Sequence, residues 1–470
     1  MTVAPVFDPP AQQMTPRSWG LLLVLCGALF LEGIDIAMLN VAVPAIAADL
    51  GLATGTAHWI ISAYVLGYAG FMLLGGRSAD LFGRRRVFLV GLTVFVAFSG
   101  VGGFADSGWL LVTARFATGV AAGFMTPAGF SIVTSSFPEG PLRNRALSVY
   151  GAVGAGGFTL GMVAGGLLTT ASWRWVFFAP VVLGALLLVV GRALIRPDQP
   201  RFPSTSGFDV VGSVTVTAAM VSIVFALVSL GEGHTATAAL TLAGAAALLV
   251  GFVLWERRSP APLLRLSILR HGMLLSSSTA GLLFMGAFFG FQLLVTLYLQ
   301  ELRGWTPLET GLTFAIMGAD MVIAPLLTPL LVARLGTAAV MTAGFASATA
   351  AFALTLRLEA DWTYVDLLPT LLLVAFAFAF AYGPLAAAAT EGLDESEHGV
   401  AGGIVNTAFQ FGAALGLSAV TIVLVGASPE DATLDDYRRA LFVPTAAAAL
   451  AVAIGATAWA RRRGGARQRN

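Results

Sequence analysis

Fourteen stretches of roughly twenty mostly apolar residues, separated by short polar turns, constrain this chain more than any other feature. They run over 19–46, 59–76, 87–104, 109–137, 142–170, 175–194, 210–230, 236–255, 273–299, 311–332, 338–356, 365–389, 401–425 and 441–460. In hydrocarbon, backbone N–H and C=O groups find no water, so only helices and closed barrels can cross it. Barrel strands are about half this length and alternate polar with apolar. These stretches do neither, so the expected class is an all-α integral membrane protein with 14 transmembrane helices. Composition agrees, with 57% hydrophobic and 11% charged residues. A soluble chain is about a quarter charged.

The 26 basic residues are all arginine, and their placement orients the helices. With the N-terminus inside, the inner loops collect Arg17, Arg77, Arg84, Arg85, Arg86 and most of the others. Only Arg174, Arg303, Arg357, Arg438 and Arg439 fall outside, a four-to-one excess in the expected sense. The acidic inner loop 391–398 is the exception. An even span count puts both termini in the cytoplasm. The stretch before residue 19 has no basic n-region, so the first span reads as retained. The lysine-free, Ala- and Gly-rich composition suggests a GC-rich bacterial gene, and hence a bacterial plasma (inner) membrane. Cys26 is the lone cysteine, which rules out an intrachain disulfide.

Pro and Arg cluster at 196–203 and 257–270, dividing the spans into six, two and six. The expected organisation is a cytoplasmic tail over 1–16, a six-helix bundle over 17–196, and a linker with an inserted two-helix hairpin over 197–256. A second six-helix bundle follows over 257–460, then a basic tail over 461–470. Short motifs fall at defined places in this plan. Gly76-Arg-Ser-Ala-Asp80-Leu-Phe-Gly83-Arg84-Arg85-Arg86 lies between spans two and three. Gly76 and Gly83 would allow a tight turn, and Asp80 could pair with Arg84 or cap a helix. Pro329 to Gly336 occupies the matching place in the second half, with Ala333 where the first copy has its acid.

Span one carries Asp35-Ile-Ala-Met-Leu-Asn40-Val-Ala-Val-Pro44, and span four carries Arg115-Phe-Ala-Thr-Gly119. Span five carries Gly157-Phe-Thr-Leu-Gly161-Met-Val-Ala-Gly165-Gly166, followed by Trp173-Arg-Trp-Val-Phe177. Together with the loop motif, this set resembles the fourteen-span drug:proton antiporter branch (EmrB/QacA-like) of the major facilitator superfamily. Two departures stand out, Thr118 where many relatives have Gln, and Met162 where they have Pro. The resemblance implies the major facilitator fold, two six-helix bundles plus two inserted helices around a central cavity. It also implies that spans one and four border that cavity, and that span ten packs against span five with Asp320 opposite the glycine run.

Ionisable groups at mid-span cost at least about 2.5–3.5 kcal/mol on insertion scales, so they mark candidate function. Glu32, Asp35, Arg115 and Asp320 are the expected proton-coupling residues. Glu32 and Asp35 are three apart on one helix face, and two carboxylates so close in a low dielectric do not both ionise freely. Arg115 cannot discharge and needs an anionic partner, for which Asp35 is the natural choice. Asp35, Asp320, Asn40, Gln292, Tyr298, Phe288, Asn406, Gln410 and Tyr382 are the expected substrate contacts. Rings and acids together suit flat lipophilic cations. Gly76, Asp80, Gly83, Arg84, Arg85, Gly157, Gly161, Gly165 and Gly166 are the expected conformational residues, since small residues in a helix seam permit close approach where two halves move.

Without lysine there can be no phosphate-binding Gly-x-x-x-x-Gly-Lys-Ser/Thr loop, which argues against ATP-driven pumping. No catalytic residue, metal site, cofactor or nucleic-acid partner is expected, and the chain does not read as an enzyme. The expected function is proton-coupled multidrug efflux by alternating access, in a monomer whose partners are protons, a lipophilic small molecule and the bilayer. The alternatives are a dedicated exporter of one natural product or antibiotic, and a proton-coupled uptake symporter.

Overall fold

The computed structural model describes residues 14–52, 57, 59–137, 141–197, 209–231, 233–259, 262, 267–268, 271–391, 393, 398–425 and 432–467. Helices dominate, and the described residues contain no strand. The first bundle comprises α1 (Pro16–Leu50), α2 (Trp59–Phe82), α3 (Arg84–Gly103), α4 (Gly108–Ser136), α5 (Pro141–Ala171) and α6 (Trp175–Leu194). A hairpin of α7 (Val210–Gly231) and α8 (Thr235–Glu256) follows. The second bundle comprises α9 (Gly272–Leu297), α10 (Pro307–Phe314), α11 (Asp320–Leu335), α12 (Thr337–Thr355), α13 (Tyr364–Thr390), α14 (His398–Val425) and α15 (Leu434–Arg467). A π turn, Tyr298–Leu302, extends α9, and a 3₁₀ turn, Ala315–Ala319, joins α10 to α11.

A helix covers each of the apolar stretches seen in the sequence, the tenth being shared by α10 and α11. Among the described residues, eleven helical spans are long and apolar enough to cross a membrane. Shorter apolar runs, Trp59–Met72, Gly156–Ala171 and Val210–Ala226, lie in α2, α5 and α7. Local chemistry sets the ends. Thr15 caps α1, its Oγ1 accepting from Ser18 N at 3.2 Å with Pro16 at the first helical position, and Gly51 closes the helix at φ 62°. A capping box of Thr306 and Glu309 starts α10, and one of Thr363 and Asp366 starts α13.

The two bundles repeat one packing scheme. In the first, α1 packs on α5 and α6, α2 on α4, and α3 on α4 and α6. In the second, α9 packs on α14 and α15, α11 on α13, and α12 on α13 and α15. Across the halves, α5 meets α10 and its 3₁₀ extension, while α2 meets α14. The hairpin joins the second of these seams, because α7 packs on both α2 and α14. The repeat extends to its turns. Gly83 (φ 97°) links α2 to α3, and Gly336 (φ 84°) links α11 to α12, both in backbone conformations that a β-carbon disfavours.

The outward faces are as apolar as the core. On α6, Val182, Leu186 and Val189 point out while Phe177, Gly184 and Leu187 point in. Only lipid suits such a surface.

Candidate functional site

α1 carries the site because its buried face is polar at mid-helix. Glu32 is 3% exposed and Asp35 and Arg115 are each 1% exposed, in a bundle whose other buried side chains are mostly apolar and otherwise uncharged among the described residues. Arg115 Nη1 donates to Asp35 Oδ2 at 2.6 Å, and its Nε donates to the Ile60 carbonyl at 3.3 Å. The guanidinium lies 4.4 Å from the centre of the Tyr64 ring. Gly119, one turn beyond Arg115, makes this possible. A β-carbon there would collide with the Tyr64 carbonyl, so glycine lets α2 and α4 touch backbone to backbone. Thr118 bonds to its own helix at Ala114 and Arg115, away from the ion pair.

Glu32 has different company. Its Oε2 accepts from Tyr68 Oη at 3.0 Å and from Thr126 Oγ1 at 2.7 Å, and those two hydroxyls lie 2.8 Å apart. Neither Tyr64, Tyr68 nor Thr126 is singled out by the sequence motifs. The available signal was weak: two tyrosines four apart on α2 share a face, and a threonine beside Pro127 lies on the same face as Arg115 three turns away.

An aromatic wall joins the halves beside these acids. Phe158 of α5 lies 5.5 Å, ring centre to ring centre, from both Phe288 and Phe289 of α9. Phe288 lies 4.5 Å from Phe378 of α13, and Phe378 stacks on Tyr382, which meets Phe409 of α14 at 5.6 Å. Phe291 turns the other way, onto Phe352. Toward the end of the bundle where α1, α5 and α9 finish, polar contacts close the halves together. Asn40 Nδ2 donates to Gln292 Oε1 at 3.1 Å, Gln292 Nε2 contacts Met162 Sδ at 2.6 Å, and Gln300 donates to the Val41 carbonyl at 3.0 Å.

Several expected site residues sit elsewhere. Tyr298 donates to the Glu359 carbonyl at 2.6 Å and packs on Tyr437, three helical turns beyond Phe288. Asn406 is exposed and donates to Gly402 in its own helix, and Gln410 is half-buried one turn further on. Asp320, 8% exposed, begins α11 directly after the 3₁₀ turn, and its Oδ1 has no hydrogen-bond partner among the described residues.

The glycine expectations need correction. Gly157, Gly161 and Gly165 face α1, against Phe30, Ile34 and Met38, inside the first half. Residues four apart share one face, so the run cannot also line the seam between halves. Gly156, against Met321, and Gly166, against Pro307 and Leu308, do that. Gly76 lies within α2 with ordinary space around it, so Gly83 alone makes the turn. The side chain of Asp80 lies outside the described part of the structure. Arg84 donates to the Ser131 carbonyl at 3.1 Å, and Arg85 donates to the carbonyls of Ile195 and Arg192 at 2.9 and 3.0 Å, at the last turn of α6. At the other end, Asp49 accepts from Trp173 Nε1 at 2.8 Å and Arg174 Nη1 at 3.0 Å, which accounts for the Trp173-Arg174 pair.

Two like-packed helical halves around buried charges and an aromatic wall define a multi-pass membrane transporter. The chain belongs to the Major Facilitator Superfamily, whose profile matches residues 25–417. It is 34% identical to the puromycin resistance protein of Streptomyces alboniger, over 91% of this chain and 86% of that one. It is 32% identical to the cephamycin export protein of Amycolatopsis lactamdurans, over 92% and 90%. Among solved structures it is similar to the POT family transporter PepTSo, with a TM-score of 0.68 at 16% identity, covering 96% of this chain and 99% of that one. At that identity the likeness speaks for the fold.

Proposed function

We propose that this protein is a proton-coupled exporter of lipophilic, cationic compounds with aromatic bodies, of the fourteen-span drug:proton antiporter branch. It acts as a monomer by alternating access in a bacterial plasma membrane, with both termini in the cytoplasm. One observation carries this reading: the Glu32 carboxyl is buried in the bundle with, among the described residues, two neutral hydroxyls for partners, in the half that shares an aromatic wall with the other. A carboxyl so placed can hold either a proton or a cation, and competition between them is what antiport needs. Rings on both halves offer their faces to a flat cation. With the N-terminus inside, the end closed by Asn40, Gln292 and Gln300 faces out.

The names of the relatives, puromycin resistance and cephamycin export, support export over uptake. Each names one antibiotic, which favours the second reading, a dedicated exporter of a single natural product. Inside-out vesicles with a respiration-generated pH gradient and a pH-sensitive dye test both. Gradient collapse by ethidium and tetraphenylphosphonium alike supports broad export, and collapse by one antibiotic alone supports dedicated export. If none of these compounds perturbs the gradient, proton-coupled export is set aside in favour of uptake.

A further inference from the structure

The two acids of α1 are three residues apart, yet their surroundings give them opposite tasks. Asp35 is engaged by Arg115, and the guanidinium is further held by the Ile60 carbonyl and the Tyr64 ring. Protonating Asp35 would leave a permanent cation buried without its anion, so this pair is poor at exchanging a proton. Glu32 has no such bond to lose. Its Oε2 takes two hydroxyl donors on α2 and α4. Other titratable groups face it from each side. They are Tyr64 and Tyr68 on α2, Tyr150 on α5, Tyr382 on α13 and Asp35 on α1 itself, with Arg115 of α4 bonded to Asp35. Among the described residues Arg115 is the one cation in this set, and Asp35 already holds it.

We propose that Glu32, positioned by Tyr68 and Thr126, is the carboxyl that exchanges a proton for the positive charge of the substrate, and that Asp35 and Arg115 are a fixed brace. This inference rests on the exporter reading above. In the step itself, the Glu32 O–H bond breaks as the cation arrives from the inner side, and the proton passes to inner water. The carboxylate pairs with the cation. On the outer side the cation leaves, and a proton from outer water remakes the O–H bond. One proton crosses inward for each positive charge that crosses outward. Phe158 brings the ring wall to the same turn of α1, because its backbone packs directly against Gly33, the residue after Glu32.

The full chain in lipid nanodiscs, near neutral pH, tests this without a substrate. Infrared difference spectra of wild type against Glu32→Gln should show loss of a protonated-carboxyl C=O band. The band should persist in the Asp35→Asn/Arg115→Gln double variant. Tyr68→Phe and Thr126→Val should move the band's position while thermal unfolding stays near wild type, a signature that a merely structural contact would not give. In inside-out vesicles, pH-gradient-driven uptake of tetraphenylphosphonium or ethidium should be lost in Glu32→Gln and should survive, slowed, in the double variant. A band that persists in Glu32→Gln, or vanishes in the double variant, overturns the assignment. Gradient-driven uptake that survives in Glu32→Gln overturns it as well. Wild-type protein that moves neither cation would instead count against the exporter reading, and the infrared result would still decide the role of Glu32.

Discussion

The two halves pack alike and are built for different work. In the first half the α1–α5 seam closes on Gly157, Gly161 and Gly165, and in the second the α9–α14 seam closes on Gly412 and Gly416. Gly416 lies directly on Gly286, as Gly161 lies on Ile34 and Ala37. Around that shared skeleton, the first half buries Glu32, Asp35 and Arg115 at mid-bundle, where the second presents Phe284, Phe288 and Phe378. Packing therefore constrains where small residues must stand but leaves the neighbouring positions free to diverge. The difference is one of weight: at mid-span the first half buries a carboxyl and an ion pair, where the second, among the described residues, buries Asp320 alone and carries most of the ring surface.

The ion pair offers the hardest way to break this comparison. Arg115→Ala or Asp35→Asn leaves one buried charge alone and should cost about 3–5 kcal/mol, read as lost membrane yield and a lower unfolding temperature in detergent. The double variant Asp35→Asn/Arg115→Gln should recover most of that stability. A second test is the seam itself. Gly161→Leu and Gly416→Leu should each destabilise by about 1–3 kcal/mol or more, and to similar extents, by the same thermal assay. If one seam tolerates leucine and the other does not, the halves are not packed equivalently.

Smaller effects sharpen the division. Phe378→Ala should remove about 0.5–1.5 kcal/mol of ring contact, roughly a two- to tenfold loss of apparent affinity for aromatic substrates, measured as the concentration giving half-maximal gradient collapse. Its pH dependence should stay as in wild type, which is the reverse of the Glu32→Gln result. The smallest change is expected at the closed end. Gln292→Leu removes the cross-half hydrogen bond from Asn40, worth about 0.5–1.5 kcal/mol, together with the Met162 contact, and should raise the reactivity of a cysteine placed at Val41 toward a membrane-impermeant thiol reagent added from outside. The comparison parent for that measurement carries Val41→Cys alone in a Cys26→Ala background, so Asn40 and its bond to Gln292 are intact.

Much of the architecture was legible before any coordinates. Run length and apolarity set the helices, the Gly83 and Gly336 turns showed as a repeat, and Arg115 was visibly in need of an anion. The site was legible in its costs more than in its partners. Tyr68 and Thr126 carry no charge and fall in no motif, so nothing marked them as partners of Glu32. Within the glycine run, Gly166 meets the opposite half as expected while Gly157, Gly161 and Gly165 meet α1, because spacing reports that residues share a face and not which helix that face meets. Met162 was noted only as a departure from a proline, whereas its thioether lies against Gln292 in the opposite half.

The sequence alone determined that this protein lives in lipid and that it crosses as helices, and it marked the few ionisable residues whose burial costs most. These follow from solvation, which acts on each residue or each helix turn separately. Tertiary structure alone decided that Glu32 takes Tyr68 and Thr126, and that Asn40 reaches Gln292. The partners are 36 to 252 positions apart in the chain for these uncharged contacts. Which helix faces cross at such separations depends on how glycines and bulky side chains interlock over the whole bundle, and no local period in the sequence encodes that.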